Sequence, residues 1–263
     1  MDNFMHMTPK EVRKIIRAGG YALPTSGICP GYAQCNLAAI PQEYAEDFLR
    51  FTKLNAKPCP VLEVVPAGER LTRQIASGAD VARDIPKYRV YEYGRLAGEY
   101  EDASALWRDD LVTFLIGCSF SFEDALIKAG LPVRHIEEGR NVPMYNTNIA
   151  LESAGVFGGN MVVSMRPMTK EQAVRAAEIT ARFPRVHGAP VHIGDPSEIG
   201  IMDINRPDFG DAVTIHPGEA AVFWACGVTP QAAVMRAKLP FVITHAPGHM
   251  LITDTLNTAL AEE

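Results

Sequence analysis

No stretch of this 263-residue chain is apolar for long enough to cross a bilayer, and its start, with Asp2, His6 and Thr8, lacks the apolar core of a secretion signal. Cytoplasmic location is the expectation. Positive charge is short as well: the formal net charge is −6, and the Lys and Arg residues are scattered rather than gathered in a stripe. That argues against a nucleic-acid backbone or an anionic membrane as partner. Cysteine is scarce, with five residues, Cys29, Cys35, Cys59, Cys118 and Cys226, and no C-x-x-C pair. Neither a disulfide framework nor a zinc knuckle fits, so reduced thiols are expected.

Nucleotide and hydrolase signatures are missing too. There is no P-loop, no dinucleotide glycine fingerprint and no G-x-S-x-G elbow, and Gly155-Val156-Phe157-Gly158-Gly159 has its glycines at the wrong offsets. His187, His192, Asp195 and Asp203 are ligand-type residues without metal-site spacing, so neither a cofactor nor a metal is expected.

What remains is an ordinary globular composition, 47% hydrophobic and 21% charged. A first helix is marked by Thr8, Pro9 and Glu11, a capping box with proline at the first helical position, and Gly19-Gly20 stops it. Leu23 to Cys35, rich in glycine, proline and small polar residues, reads as an ordered loop. A second helix starts near Pro41 and turns Tyr44, Phe48 and Phe51 inward. Strands are expected at Val61–Val65, Tyr88–Tyr93 and Leu111–Ile116, with a helix opened by Ser121 over Phe122–Lys128. Next come short strands near His135–Glu137 and Met144–Ile149, a strand at Met161–Met165, and a helix capped by Thr169 and Gln172. Further strands at Pro190–Ile193, Ala221–Ala225, Phe241–Thr244 and Met250–Thr253 surround a helix from Thr229 to about Ala237. The expected fold is α/β: a three-layer main domain of residues 1–120 and 188–263, with a smaller α+β domain, 121–187, inserted. On this reading the chain leaves the main sheet after its first strand-to-helix corner and returns before its second.

Those two corners are the most telling feature. Leu115-Ile116-Gly117-Cys118-Ser119-Phe120-Ser121 and Phe223-Trp224-Ala225-Cys226-Gly227-Val228-Thr229 each end a strand in cysteine and open a helix three residues on. Helix N-termini present free N–H groups and the positive end of the macrodipole, a natural seat for a small carboxylate or amino acid. Thr244-His245-Ala246-Pro247-Gly248-His249 puts two imidazoles at a third strand end, an acid–base station. Arg166, at a strand end before Pro167, offers a guanidinium for a carboxylate. Asn141 to Asn148, including Tyr145, supplies polar groups for a pocket wall.

With Gly31-Tyr32-Ala33-Gln34-Cys35-Asn36, Asn141-Val142-Pro143-Met144-Tyr145, Met165-Arg166-Pro167 and Arg206-Pro207-Asp208-Phe209-Gly210, these motifs run in order over nearly the whole chain. The sequence resembles the hydro-lyase family related to D-glutamate cyclase. The resemblance implies a three-layer α/β domain with a smaller α+β domain, and an activity that removes water, such as closure of D-glutamate to 5-oxo-D-proline. It assigns no residue roles. From the residues themselves, His245, Cys118, Cys226 and Ser121 are the expected catalytic groups, and Arg166, Ser119, Thr229, Tyr145 and Asn148 the expected substrate-binding groups. Two other readings stay open: a two-thiol amino-acid racemase using Cys118 and Cys226, and a non-catalytic carboxylate-binding protein. A homo-oligomer, with apolar surface around Tyr91, Tyr93 and Tyr100, is the general expectation for a cytosolic enzyme of this size.

Overall fold

The computed structural model describes Phe4 and residues 6–261; Asp2 lies outside the described residues. Helix α1 (Pro9–Arg17) opens with the capping box read from the sequence, Thr8 accepting from the Glu11 N–H while Glu11 reaches back to the Thr8 backbone. Strand β1 (Tyr32–Pro41) follows, then α2 (Ala45–Leu54), β2 (Val61–Val65), β3 (Tyr88–Glu92), β4 (Arg95–Tyr100), β5 (Leu111–Gly117) and α3 (Phe120–Lys128). A one-turn helix α4 (Arg134–Glu137) leads to β6 (Met144–Ala150), β7 (Asn160–Thr169), α5 (Lys170–Ala181), β8 (His192–Ile193), β9 (Glu219–Ala225), α6 (Val228–Ala237), β10 (Val242–His245) and β11 (Leu251–Leu256).

The strands form a seven-stranded sheet ordered β2-β5-β1-β10-β3-β4, with β11 also pairing β1, and a four-stranded sheet ordered β6-β7-β9-β8. All named pairings are antiparallel. Helices cover both faces of the larger sheet. Leu37 and Ala39 of β1 point toward Phe122 and Leu126 of α3 and Ala173 and Ala176 of α5. Ala38 and Ile40 point the other way, toward Phe48 and Phe51 of α2 and Ala233 and Val234 of α6. The first of these clusters also takes in Trp224 and Val222 of β9, so one continuous core joins the two sheets.

Several expectations change. The segment read as loop up to Cys35 becomes β1 from Tyr32 onward, a central strand disguised by Gln34 and Asn36. His135–Glu137 lies in α4 rather than a strand. The N-cap of α3 is Ser119, two residues before Ser121. Most consequential, the second corner belongs to the smaller sheet: β9 pairs with β7 and β8, and the chain rejoins the larger sheet only at β10. The corners are therefore one from each sheet, facing each other across the junction. At the far edge, β4 is largely exposed and carries a register shift against β3 opposite Val90 and Tyr91, a feature that discourages further strand addition. Tyr91 is buried there, while Tyr93 and Tyr100 are exposed. No helix among the described residues is long and apolar enough to cross a membrane.

Candidate active site

Because α3 follows β5 and α6 follows β9 without a loop, each cysteine is fixed at a helix mouth. Cys118 and Cys226 share one buried cluster with Phe120, Val142, Val228 and Met250. Each thiol faces the backbone N–H two residues on, Phe120 for Cys118 and Val228 for Cys226, so the corners repeat one device. Those N–H groups and Arg166 favour thiolate, but burial outweighs them and pushes Cys226 up to about 11 and Cys118 further. Both are protonated thiols at neutral pH.

Arg166 is not an open receptor for a substrate. It is fully buried, with Nε and Nη2 donating to Glu123 Oε1, Nη1 to Ser164 Oγ at 3.1 Å and Nη2 to Ser119 Oγ at 3.1 Å. The Phe122 and Trp224 rings lie 5.3 Å from the guanidinium carbon. Burial works against the Glu123 carboxylate, yet the neighbouring His135 and Arg166 hold it below its ordinary range, so the carboxylate is ionised. His135 Nε2 lies 3.1 Å from the same carboxylate oxygen.

Other expected site residues have their polar atoms in use elsewhere. Ser121 Oγ accepts from the Gln34 N–H at 3.1 Å. Thr229 Oγ1 accepts from the Val162 N–H and donates back to the Val162 carbonyl, tying α6 to β7. Tyr145 donates to the Ile204 carbonyl at 2.6 Å within the cluster on the far face of the smaller sheet, and Asn148 is exposed on β6. Ser119, at the N-cap of α3, makes no capping bond and accepts from Arg166 instead. His187 binds the Lys57 carbonyl and His192 the Asp195 carbonyl, and among the described residues no three His, Cys, Asp or Glu are grouped to hold a metal ion.

Beside the cysteine cluster lies a polar cavity of about 610 Å³ lined by Lys87, Arg89, Asn141, Asp208, Pro247 and His249, among others. Three of the motifs singled out in the sequence meet in its walls. Phe209 joins it to the cluster, since its ring packs on the apolar residues around Cys118 and Cys226. Arg89 is paired with Glu99 at 2.7 Å, whereas Lys87 carries its charge beside His249. Lys87 and Arg89 were not visible as site residues in the sequence; the only signal was their position at the start of a strand.

The two imidazoles differ in setting. β1 pairs with β10 at Ala38 and Ala39 but with β11 at Cys35 and Gln34, so the sheet splits at Leu37. His245 fills the split: the Leu37 N–H donates to its Nδ1 at 3.1 Å, and its Nε2 is buried with no partner. Burial lowers its pKa to about 4, so it is neutral at pH 7. His249 lines the cavity, its Nδ1 3.0 Å from the Pro247 carbonyl, an arrangement that assigns the proton to Nδ1, and the Ala22 carbonyl is a second backbone neighbour of the ring. Burial lowers its pKa also.

A family model described as D-glutamate cyclase matches residues 112–254, which include both corners, Arg166 and His245 to His249. The chain belongs to the D-glutamate cyclase family. The chain is similar to a protein of Clostridium beijerinckii, 60% identical over 97% of this chain and 97% of its own, with the curated name "Putative hydro-lyase". Proteins of Bordetella petrii, 58% identical over 97% and 96%, and Bacillus velezensis, 57% identical over 99% of both chains, carry the same descriptive name. The antiparallel two-sheet body with helices on both faces of the larger sheet is therefore the architecture on which this family's motifs are arranged here.

Proposed function

We propose that the chain is a hydro-lyase that closes D-glutamate to 5-oxo-D-proline in the cavity beside the two corners. The observation carrying this reading is the meeting of Asn141, Asp208 and the Pro247–His249 turn around one polar cavity that also holds Lys87 and Arg89. A cavity with two cations and several carboxylates in its walls suits a substrate bearing two carboxylates and an ammonium.

In the reaction the α-nitrogen attacks the γ-carboxyl carbon, a C–N bond forms, a C–O bond breaks, and one oxygen leaves as water. Lys87 and Arg89 anchor the α-carboxylate. His249 Nε2 takes the proton that the ammonium must lose, which its neutral state at pH 7 permits. Two protons leave the nitrogen in the course of the reaction, and His249 passes each to the oxygen that departs as water, while His245, neutral and with Nε2–H unpartnered, donates a hydrogen bond to that oxygen as it becomes anionic. Holding the substrate folded supplies much of the remaining advantage, because the attack is intramolecular.

The mirrored placement of Cys118 and Cys226 favours a second reading, in which two thiols exchange the α-hydrogen of an amino acid and racemise it. One experiment separates them. Incubation with D-glutamate in deuterated water, followed by chiral mass spectrometry, gives 5-oxo-D-proline with its α-hydrogen intact for the cyclase. An amino acid labelled at the α-carbon, with no lactam, rejects cyclisation in favour of racemisation.

A further inference from the structure

We propose that Asn141 is a specificity-determining residue whose side-chain oxygen accepts the one hydrogen that stays on the substrate nitrogen, restricting the site to primary α-amino dicarboxylic acids, an inference that rests on the cyclase reading above. Asn141 lines the cavity together with Pro247 and His249. Its backbone is pinned from both sides, the N–H donating to Asp211 Oδ2 at 2.9 Å and the carbonyl accepting from the Asp211 N–H at 3.2 Å. Its amide lies against Gly248, the residue before His249: a Cβ there would stand 2.7 Å from Nδ2 and 2.8 Å from Oδ1. The Pro247 carbonyl faces Nδ2 at 3.5 Å, which assigns the nitrogen to that side and the oxygen to the other. Oδ1 is buried and has no hydrogen-bond partner among the described residues.

A buried amide oxygen without a donor is a standing cost that a bound donor removes. The amide can turn to meet one, because a 3.5 Å contact holds it weakly and the Cβ–Cγ torsion of asparagine is soft. Cyclisation supplies a donor of the right kind. Of the three hydrogens on the ammonium, two leave with the water and the third remains on the lactam nitrogen. As the C–N bond forms, that nitrogen gives up electron density to the γ-carbon, so its remaining N–H becomes a stronger donor and the bond to Oδ1 tightens toward the transition state. An N-methyl amino acid, or a 2-hydroxy acid closing to a lactone, has no hydrogen left at this point and leaves Oδ1 unpaired in the closed site.

The test compares D-glutamate with N-methyl-D-glutamate on the full chain, following the lactam formed. The parent prefers D-glutamate by about 10³-fold or more in kcat/KM. Asn141→Leu, of similar size but without an acceptor, lowers kcat for D-glutamate about 100-fold with KM within about threefold and leaves N-methyl-D-glutamate nearly unchanged, so the preference collapses. Asn141→Asp, which keeps an oxygen acceptor, keeps a preference near the parent's. A parent preference below about tenfold, or one that Asn141→Leu leaves at the parent's value, overturns the proposal. A second arm needs neither turnover nor a variant: in calorimetry the parent binds 5-oxo-D-proline at least about 30-fold more tightly than the lactone of the same shape, whose ring oxygen carries no hydrogen. Equal affinities overturn the role of Asn141 whether or not cyclisation is observed. A preference for the N–H lactam in a protein that closes no D-glutamate supports that role and counts against the cyclase reading alone.

Discussion

Asn36 and Gly227 touch so closely that a Cβ on the glycine would lie 1.9 Å from Asn36 Nδ2. The same nitrogen donates to the carbonyls of Gly117 at 3.0 Å and Ile116 at 3.3 Å, so one buried amide on β1 bridges the end of β5 and the start of α6. The two corners are thereby held at a set separation. Because two carbonyls pin the amide, it cannot step aside for a methyl group. Gly227→Ala is expected to lower stability by about 3 kcal/mol, the upper range for overpacking a dense interior. Urea unfolding measures it, and Asn36→Ala in the same chain should recover part of the loss. Equal stability of Gly227→Ala and the parent would show that the corners are free to move apart.

The reason the corners were legible in the sequence is local: a short apolar run, a cysteine and a hydroxyl residue follow from the needs of a strand end meeting a helix start. Thr8-Pro9-x-Glu11 and Thr169-x-x-Gln172 were legible for the same reason, since a capping box acts within four residues. Sheet membership was not. β9 is apolar enough to sit in either sheet, and only its pairing with Arg166 and its neighbours on β7 decides the matter. Arg166 itself misled, because a strand-end arginine looks identical whether it faces solvent or, as here, Glu123 from a helix 43 residues away in sequence. The cavity was hidden because Lys87, Asn141, Asp208 and His249 come from four distant segments, and no short-range pattern records that they meet.

Two buried histidines make stability depend on pH. His187, with its Nδ1 on the Lys57 carbonyl, and His245 both have burial lowering their pKa from 6.5 to about 4. In the unfolded chain each binds a proton near pH 6.5, while in the folded chain each stays neutral down to about 4. The unfolded state thus binds more protons between these values, and stability falls as the pH drops through that window. The full contribution is present above pH 6.5, and at pH 5 about 2 kcal/mol is lost for each residue. Urea midpoints at pH 7.5 and pH 5 should differ accordingly, and a His187→Gln, His245→Gln variant should flatten the difference. A parent midpoint unchanged over this range would mean that one or both imidazoles are charged in the folded state.

Helix α5 offers a check that is independent of the site. Thr169 accepts from the Gln172 N–H while the Gln172 side chain accepts from the Thr169 N–H at 2.9 Å, and the buried face of the helix, Ala173 and Ala176, packs in the core that joins the sheets. Thr169→Ala removes the hydroxyl half of the box and should cost about 1 kcal/mol, roughly 2–4 °C in Tm for a chain of this size. Thr169→Ser should restore most of it. A Tm indifferent to both changes would mean that packing alone sets the start of this helix.

Lys87 and His249 line the same cavity but are assigned different tasks, and steady-state kinetics separates them. An anchor that holds the α-carboxylate equally in the ground and transition states affects KM, so Lys87→Met should raise KM about tenfold or more with kcat little changed. The base acts only as the proton moves, so His249→Gln should lower kcat by roughly 10²–10⁴ with KM nearly constant. Its effect should also be pH-dependent. In the parent, kcat falls on acidification as the His249 Nε2 lone pair is protonated, and because burial lowers that pKa the fall begins below the ordinary histidine range. The His249→Gln variant should lose this acid limb while keeping any alkaline limb. If the acid limb persists unchanged in His249→Gln, the proton acceptor is another group, and His245, whose burial holds it neutral to about pH 4, becomes the residue to replace.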